Sequence, residues 1–170
     1  MNLLSEYIER GITIVQPSVW KQQREILSGD ERLGSIQKPK IFSTIIVVEL
    51  FGKEWEVYSP SIWRQERAIR PKGYQMPIAK YVHDRWKTSG TIELPMGRRL
   101  KHVQKPLKRI NEITTESGIL LASYNSKGLL GKTMEITFHK PSELLDKYPW
   151  AIILVWDVIQ AQQQQHAAVH

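Results

Sequence analysis

Residues 150–159, Trp150 to Ile159, read WAIILVWDVI, and the fold turns on how this run is accommodated. It is apolar on every side of a helix and equally on both faces of a strand, so the rest of the molecule has to enclose it. A bilayer is not the enclosure. Ten residues of helix rise roughly 15 Å, about half the hydrocarbon thickness, and Asp157 sits among them. Upstream stand Ser142, a helix N-cap by residue type, and Pro149, which suits a first helical turn. Downstream, residues 160–165 (QAQQQQ) are polar and unbranched and let a helix continue into solvent. The richness in Ile and Val keeps a buried strand as the alternative, because periodicity does not separate the two in so short a run.

The 170 residues around this run make one domain, with a core to which six Trp add bulk. The absence of cysteine excludes disulfides, thiolate zinc sites and cysteine nucleophiles. Met1 to Arg10 carries Glu6 and Glu9 among its apolar residues and has no signal-peptide core. No stretch reaches transmembrane length. The expected location is therefore cytoplasmic, or peripheral at a cytoplasmic membrane face. A formal charge of +7 favours an anionic partner.

From Gly11 to Pro141 the chain reads as a β protein, with short runs rich in Val, Ile, Thr, Trp and Tyr between Gly, Pro, Asn, Asp and Ser. Residues 3–10 suit one or two helical turns. Hairpins are expected at Ser28–Glu31, between strands 19–26 and 32–36, and at Phe51-Gly52, between 43–50 and 53–58. Residues 62–70 fit helix and strand equally and are read as a strand from their neighbours. Strands follow over 76–86, 91–94, 98–103, 107–115 and 118–124. Asn125-Ser126-Lys127-Gly128 carries a strong turn signal. In TMEITFH, Met134, Ile136 and Phe138 alternate with polar residues, the clearest strand in the chain. Many short antiparallel strands followed by one wholly apolar element suggest a closed barrel whose bore is filled by a helix.

In order and pattern the chain resembles the tubby C-terminal-like superfamily, in its LURP-one-related and phospholipid scramblase-like branch. The resemblance rests on the consecutive hairpins, then residues 118–138 (GILLASYNSKGLLGKTMEITF), then the apolar run that includes Asp157. It implies a closed antiparallel β-barrel of about twelve strands around a C-terminal hydrophobic helix. The implied organisation is a short N-terminal segment (1–11), a barrel domain (12–161) with its helix near 142–161, and a mobile tail (162–170). It also favours helix over strand for Trp150 to Ile159, and implies a non-enzymatic binding or scaffold module without a cofactor. Scramblases carry cysteine-rich palmitoylation segments and an acidic calcium-binding stretch. This chain has neither, so calcium-dependent scrambling is not implied.

The strongest candidate site is the basic stretch RRLKHVQKPLKR, with Arg98, Arg99, Lys101, Lys105, Lys108 and Arg109 and no acid. Clustered cations attract anionic phospholipid surfaces and also neutralise nucleic-acid phosphates. The plain reading is a solvated strand face. Strand alternation puts Arg99, Lys101 and Lys105 on one side. Arg64, Arg67, Arg70 and Lys72 form a weaker cluster diluted by Glu66. His83-Asp84 reads as a surface pair, and His102 and His139 as isolated, so metal or acid–base chemistry finds no support. Residues 126–132 (SKGLLGK) lack phosphate-loop spacing. Asp157 reads as a residue at the barrel mouth, or more sharply as a buried, paired acid. The favoured partner is an anionic phospholipid surface or a protein. Nucleic acid ranks lower, because RNP, KH and helix-turn-helix signatures are absent, and a small-ligand barrel or enzyme with an open bore is a third reading. The oligomeric state is not legible.

Overall fold

Inward and outward side chains alternate along twelve strands, and the strands close on themselves. A computed structural model describes residues 2–17, 22–39, 43–61, 66–85, 88–128 and 132–168. The strands are β1 (Ile12–Val15), β2 (Gln23–Ser28), β3 (Glu31–Gln37), β4 (Ile46–Leu50), β5 (Lys53–Tyr58) and β6 (Arg67–Pro71). They continue as β7 (Ala79–His83), β8 (Gly90–Glu93), β9 (Arg99–Lys105), β10 (Ile110–Thr114), β11 (Leu120–Lys127) and β12 (Thr133–Phe138). Each pairs antiparallel with its neighbours in sequence, and β1 pairs with β12 to close the barrel. Closure leaves no sheet edge exposed.

The strand that closes the ring is one the sequence did not single out. β1 has four residues between Gly11 and Pro17, of which Ile12 and Ile14 face inward opposite Ile136 and Met134. Gly11 sits at φ +67 and donates its N–H to the carbonyl of Tyr7, turning the chain from a 3-10 turn, Leu4–Tyr7, into β1.

Trp150 to Ile159 is the enclosed helix. Ile153 and Val155 project in different directions and both are 0 % exposed. Two helices stand where the sequence suggested one. Ser142 caps α1 (Glu143–Lys147), accepting from the Leu145 N–H at 3.3 Å. Pro149 then separates it from α2 (Ala151–Ala168), because the residue before a proline is pushed out of the α region. Tyr148 there has φ −124 and ψ 63. α2 runs on to Ala168, past the boundary expected at 161.

The up-and-down order gives the barrel two ends. The loops after β2, β4, β6, β8 and β10 share one end, the floor, with the 3-10 turn and α1. There Ser5 donates its N–H and hydroxyl to the Asp146 carboxylate, both at 2.8 Å, and Tyr7 stacks on Phe51. The loops after the odd-numbered strands form the mouth. α2 climbs the bore from floor to mouth. Tyr124 donates its hydroxyl to the Ile152 carbonyl at 2.7 Å, and at the mouth Gln162 donates to the Thr88 carbonyl at 2.8 Å. Among the described residues the bore is occupied by α2, which counts against the open-barrel reading.

Other boundaries moved for local reasons. Asn125, Ser126 and Lys127 extend β11 opposite Glu135, Met134 and Thr133 and are not the expected turn. The strand expected over 62–70 is β6 from Arg67 onward, and residues 62–65 lie outside the described set. Residues 106–108 form a 3-10 turn, where Pro106 cannot extend the ladder.

Candidate functional site

The six cations of the basic stretch do not form one patch. Along β9, Leu100 and His102 face the core, and Arg99, Lys101 and Lys105 project outward. The strand carries them from floor to mouth, about 20 Å at ~3.3 Å per residue. Arg98 and Arg99 stand at the floor, and Lys105, Lys108 and Arg109 at the mouth. Lys101 donates to Thr91 Oγ1 at 2.8 Å, and Lys105 pairs with Glu112 at 2.5 Å. Arg98, Arg99, Lys108 and Arg109 make no ion pair with any described residue. Glu93 lies opposite Arg99 in register without bonding to it.

Each end of β9 presents an apolar tip beside its free cations. At the mouth it is Leu107, fully exposed between Lys105 and Lys108. At the floor it is Met96, 86 % exposed with φ +61, a left-handed conformation unusual for a side chain of this size. Tyr74 (68 %) and Met76 (77 %) project from the β6–β7 loop and Ile119 from the β10–β11 loop, on either side of Met96. Adjacent tips are two strands apart, about 10 Å. Tyr74, Met76, Met96 and Ile119 do not stand out in the sequence as candidate site residues. Their signal is large apolar side chains within turn punctuation, as in Pro95-Met96-Gly97.

The second basic cluster is largely consumed. Arg64 lies outside the described residues. Arg67 meets Asp157, Arg70 pairs with Glu56 at 3.3 Å and lies over Tyr58, and Lys72 pairs with Glu54 at 3.1 Å. Asp157 is thus both at the mouth and paired. Arg67 Nε donates to its Oδ2 at 2.5 Å, with each side chain about one-seventh exposed. Burial pushes the Asp157 carboxyl up, and Arg67 opposes that shift without cancelling it.

His102 is not isolated. It is wholly buried, and Asn111 Oδ1 accepts from its Nε2 at 2.7 Å. That fixes the tautomer, so Nδ1 accepts from the Tyr81 hydroxyl at 2.6 Å. Gly90 makes room for this phenol, since a Cβ there would lie 2.5 Å from the Tyr81 ring. His83 is half-buried with its ring edge-on to Tyr81, so it is only partly at the surface. Desolvation lowers the His102 pKa to about 4 and lowers that of His83, against the pull of Asp84. This is a satisfied interior network, closed to substrate. His139 bonds to Ser123 on the outer surface.

Among the described residues no group of three or more His, Cys, Asp or Glu could hold a metal ion, and no helix is long and apolar enough to cross a membrane. The described Trp side chains, Trp55, Trp150 and Trp156, are all buried. Compared with protein-family models, curated proteins and solved structures, the chain matches none.

Proposed function

We propose that this protein is a non-enzymatic, tubby-like binding module that docks on anionic phospholipid surfaces through the floor of its barrel. The observation that carries the reading is the row of exposed apolar tips, Tyr74, Met76, Met96 and Ile119, beside the unpaired Arg98 and Arg99. A patch of this kind on a folded surface marks an interaction site. Cations flanking it suit a surface with negative headgroups over an acyl boundary. Magnitudes rank the contributions. Each cation near such a surface supplies about 1 kcal/mol, and Glu93 and Glu116 at the same end offset part of that. A fully buried large apolar side chain supplies about 1.5–3 kcal/mol, so the tips dominate and the arginines select the surface.

Vesicle co-sedimentation tests the reading. The parent is expected on phosphatidylserine-containing vesicles and not on phosphatidylcholine alone. Met76→Asp with Met96→Asp should abolish binding with the melting temperature unchanged. Arg98→Gln with Arg99→Gln should weaken it about thirtyfold, as two such charges imply. A parent that ignores acidic vesicles at low salt, or that shifts RNA or DNA at the same salt while ignoring them, ends the membrane reading.

A further inference from the structure

At the opposite end, three inward-facing positions on adjacent strands lie in one row. Ile14, Ile26 and Met134 form a core layer on β1, β2 and β12, paired in register. One strand period further toward the mouth come Gln16, Arg24 and Lys132, on the same inward parity. The Gln16 N–H donates to the Lys132 carbonyl, which continues the ladder. These three side chains and the last turns of α2 line a half-open cavity of about 180 Å³, with Gln160, Gln163, Gln164 and Ala167 on the helix side.

The chemistry of this lining is one-sided. It contains two cations and four amides and no acid. Arg24 and Lys132 have no ion-pair partner among the described residues. The Arg24 guanidinium lies over the Trp156 ring, 5.0 Å from its centroid. A ring contact spends none of the guanidinium on a hydrogen-bond acceptor, and its N–H donors bond to no described residue. Its surroundings are dry enough to disfavour its charge. The acids flanking these positions on β2 and β12 are engaged elsewhere, with Glu25 on Arg32 and Glu135 on Lys127. Gln163 already donates to Ser126, and Gln160 to Gln163, so those amides hold the wall in place and Gln164 remains for a ligand. Ala167, in the last turn of α2, also lines the cavity, so the negative end of the helix opposes an anion there and the two cations have to outweigh it.

We propose that this mouth cavity is a binding site for a phosphate group, held by the fork of Arg24 and the ammonium of Lys132. Planar guanidinium forks match phosphate oxygens two at a time. The cavity is smaller than the 300–1,000 Å³ typical of pockets that swallow a drug-sized ligand, so it takes the phosphate and leaves the rest of the molecule outside. That phosphate belongs either to a soluble phosphomonoester or to a monoester lipid headgroup. The site is independent of the floor and does not rest on the docking proposed there.

Thermal denaturation with inorganic phosphate or glycerol 3-phosphate, against chloride at equal ionic strength, is the test. The parent should show a saturable rise in melting temperature with either phosphate and none with chloride. Arg24→Gln should lose the rise, and Lys132→Gln should weaken the apparent affinity about tenfold. Arg98→Gln with Arg99→Gln should keep it in full. If Arg24→Gln folds poorly, Lys132→Gln and the Arg24 Nε–H resonance of the parent, followed through a phosphate titration, decide the matter. Phosphatidic acid vesicles separate the sources. Competition by glycerol 3-phosphate that depends on Arg24 assigns a headgroup, and a phosphate response without such competition assigns a soluble ligand. A rise that chloride reproduces, or one retained in both Arg24→Gln and Lys132→Gln, overturns the site.

Discussion

Two arginines face inward at the mouth, and the barrel answers them in different ways. Arg67 on β6 meets the carboxylate of Asp157, and Arg24 on β2 meets the ring of Trp156. Trp156 and Asp157 are consecutive on α2, so their side chains diverge by about 100°. β2 and β6 stand four strands apart in a ring of twelve, about a third of the circumference. One helical step therefore serves both walls. The two answers leave the two guanidinium groups in different states. A carboxylate uses up the guanidinium, and Arg67 spends its other donors on Ser59 Oγ and the Thr44 carbonyl. A ring compensates the charge in part and leaves the donors unspent.

Arg67→Ala leaves Asp157 desolvated and without its partner, and should cost about 3 kcal/mol, read from the urea midpoint. Asp157→Asn should cost less, because Arg67 keeps Ser59 and Thr44. The pH dependence has a definite sign. Asp157 is an acid whose folded pKa lies above its unfolded value. Its contribution is most favourable below the unfolded pKa and is lost as pH rises through the folded one. Without Arg67 the carboxyl rises further, so the deficit of Arg67→Ala should be largest near neutrality and shrink in acid. A deficit of equal size at both pH values would mean that Asp157 is not the group left stranded.

The pairing at the mouth was half legible in the sequence. An acid inside WAIILVWDVI has to be paired or at an opening, and it proved to be both. Its partner was named only as a member of a surface cluster, because nothing local to Arg67 reports a helix ninety residues away. The enclosed helix was legible because only burial satisfies a run apolar all round. β1 was not, since four residues hold too little alternation to stand out. Ser142 was legible as a cap, but the helix it caps ends before Pro149. The basic stretch was legible as charge. Its division between two ends depends on where β9 starts and stops, which composition does not encode. The inward parity of Arg24 follows from Ile26 two residues on, but its lack of an acid appears only when β1, β2 and β12 are laid side by side.

His102 sharpens the contrast, as an inward polar group answered by neutral partners. Its pKa falls from 6.5 to about 4 because burial disfavours the imidazolium. A basic group with a depressed folded pKa contributes stability above its unfolded pKa and loses it as pH falls toward the folded value. Between pH 7 and pH 4 this amounts to up to about 3 kcal/mol. His102→Gln should flatten that part of the profile while costing stability at pH 7, and denaturant melts at the two pH values measure both. An unchanged slope would show that the imidazole titrates normally, and that the chain from Tyr81 to Asn111 does not exclude the proton.

Arg24 contributes least to the stability of the fold. A guanidinium over a desolvated ring gains about 0.5–2 kcal/mol. Against this stands the cost of holding a charge that has no counter-ion in a partly dry mouth. Methionine fills similar volume, keeps a sulfur–aromatic contact of about 0.3–1.5 kcal/mol with Trp156, and carries no charge. Arg24→Met should therefore change stability by less than about 1 kcal/mol, toward stabilisation where it changes at all, while erasing the phosphate response. Paired urea melts of Arg24→Met and Arg67→Met make the comparison direct. If both lose about 3 kcal/mol, the two arginines are equivalent structural elements and the mouth cavity is a by-product of packing. If only Arg67→Met does, the stacked arginine is held in reserve for an anion that the fold itself does not supply.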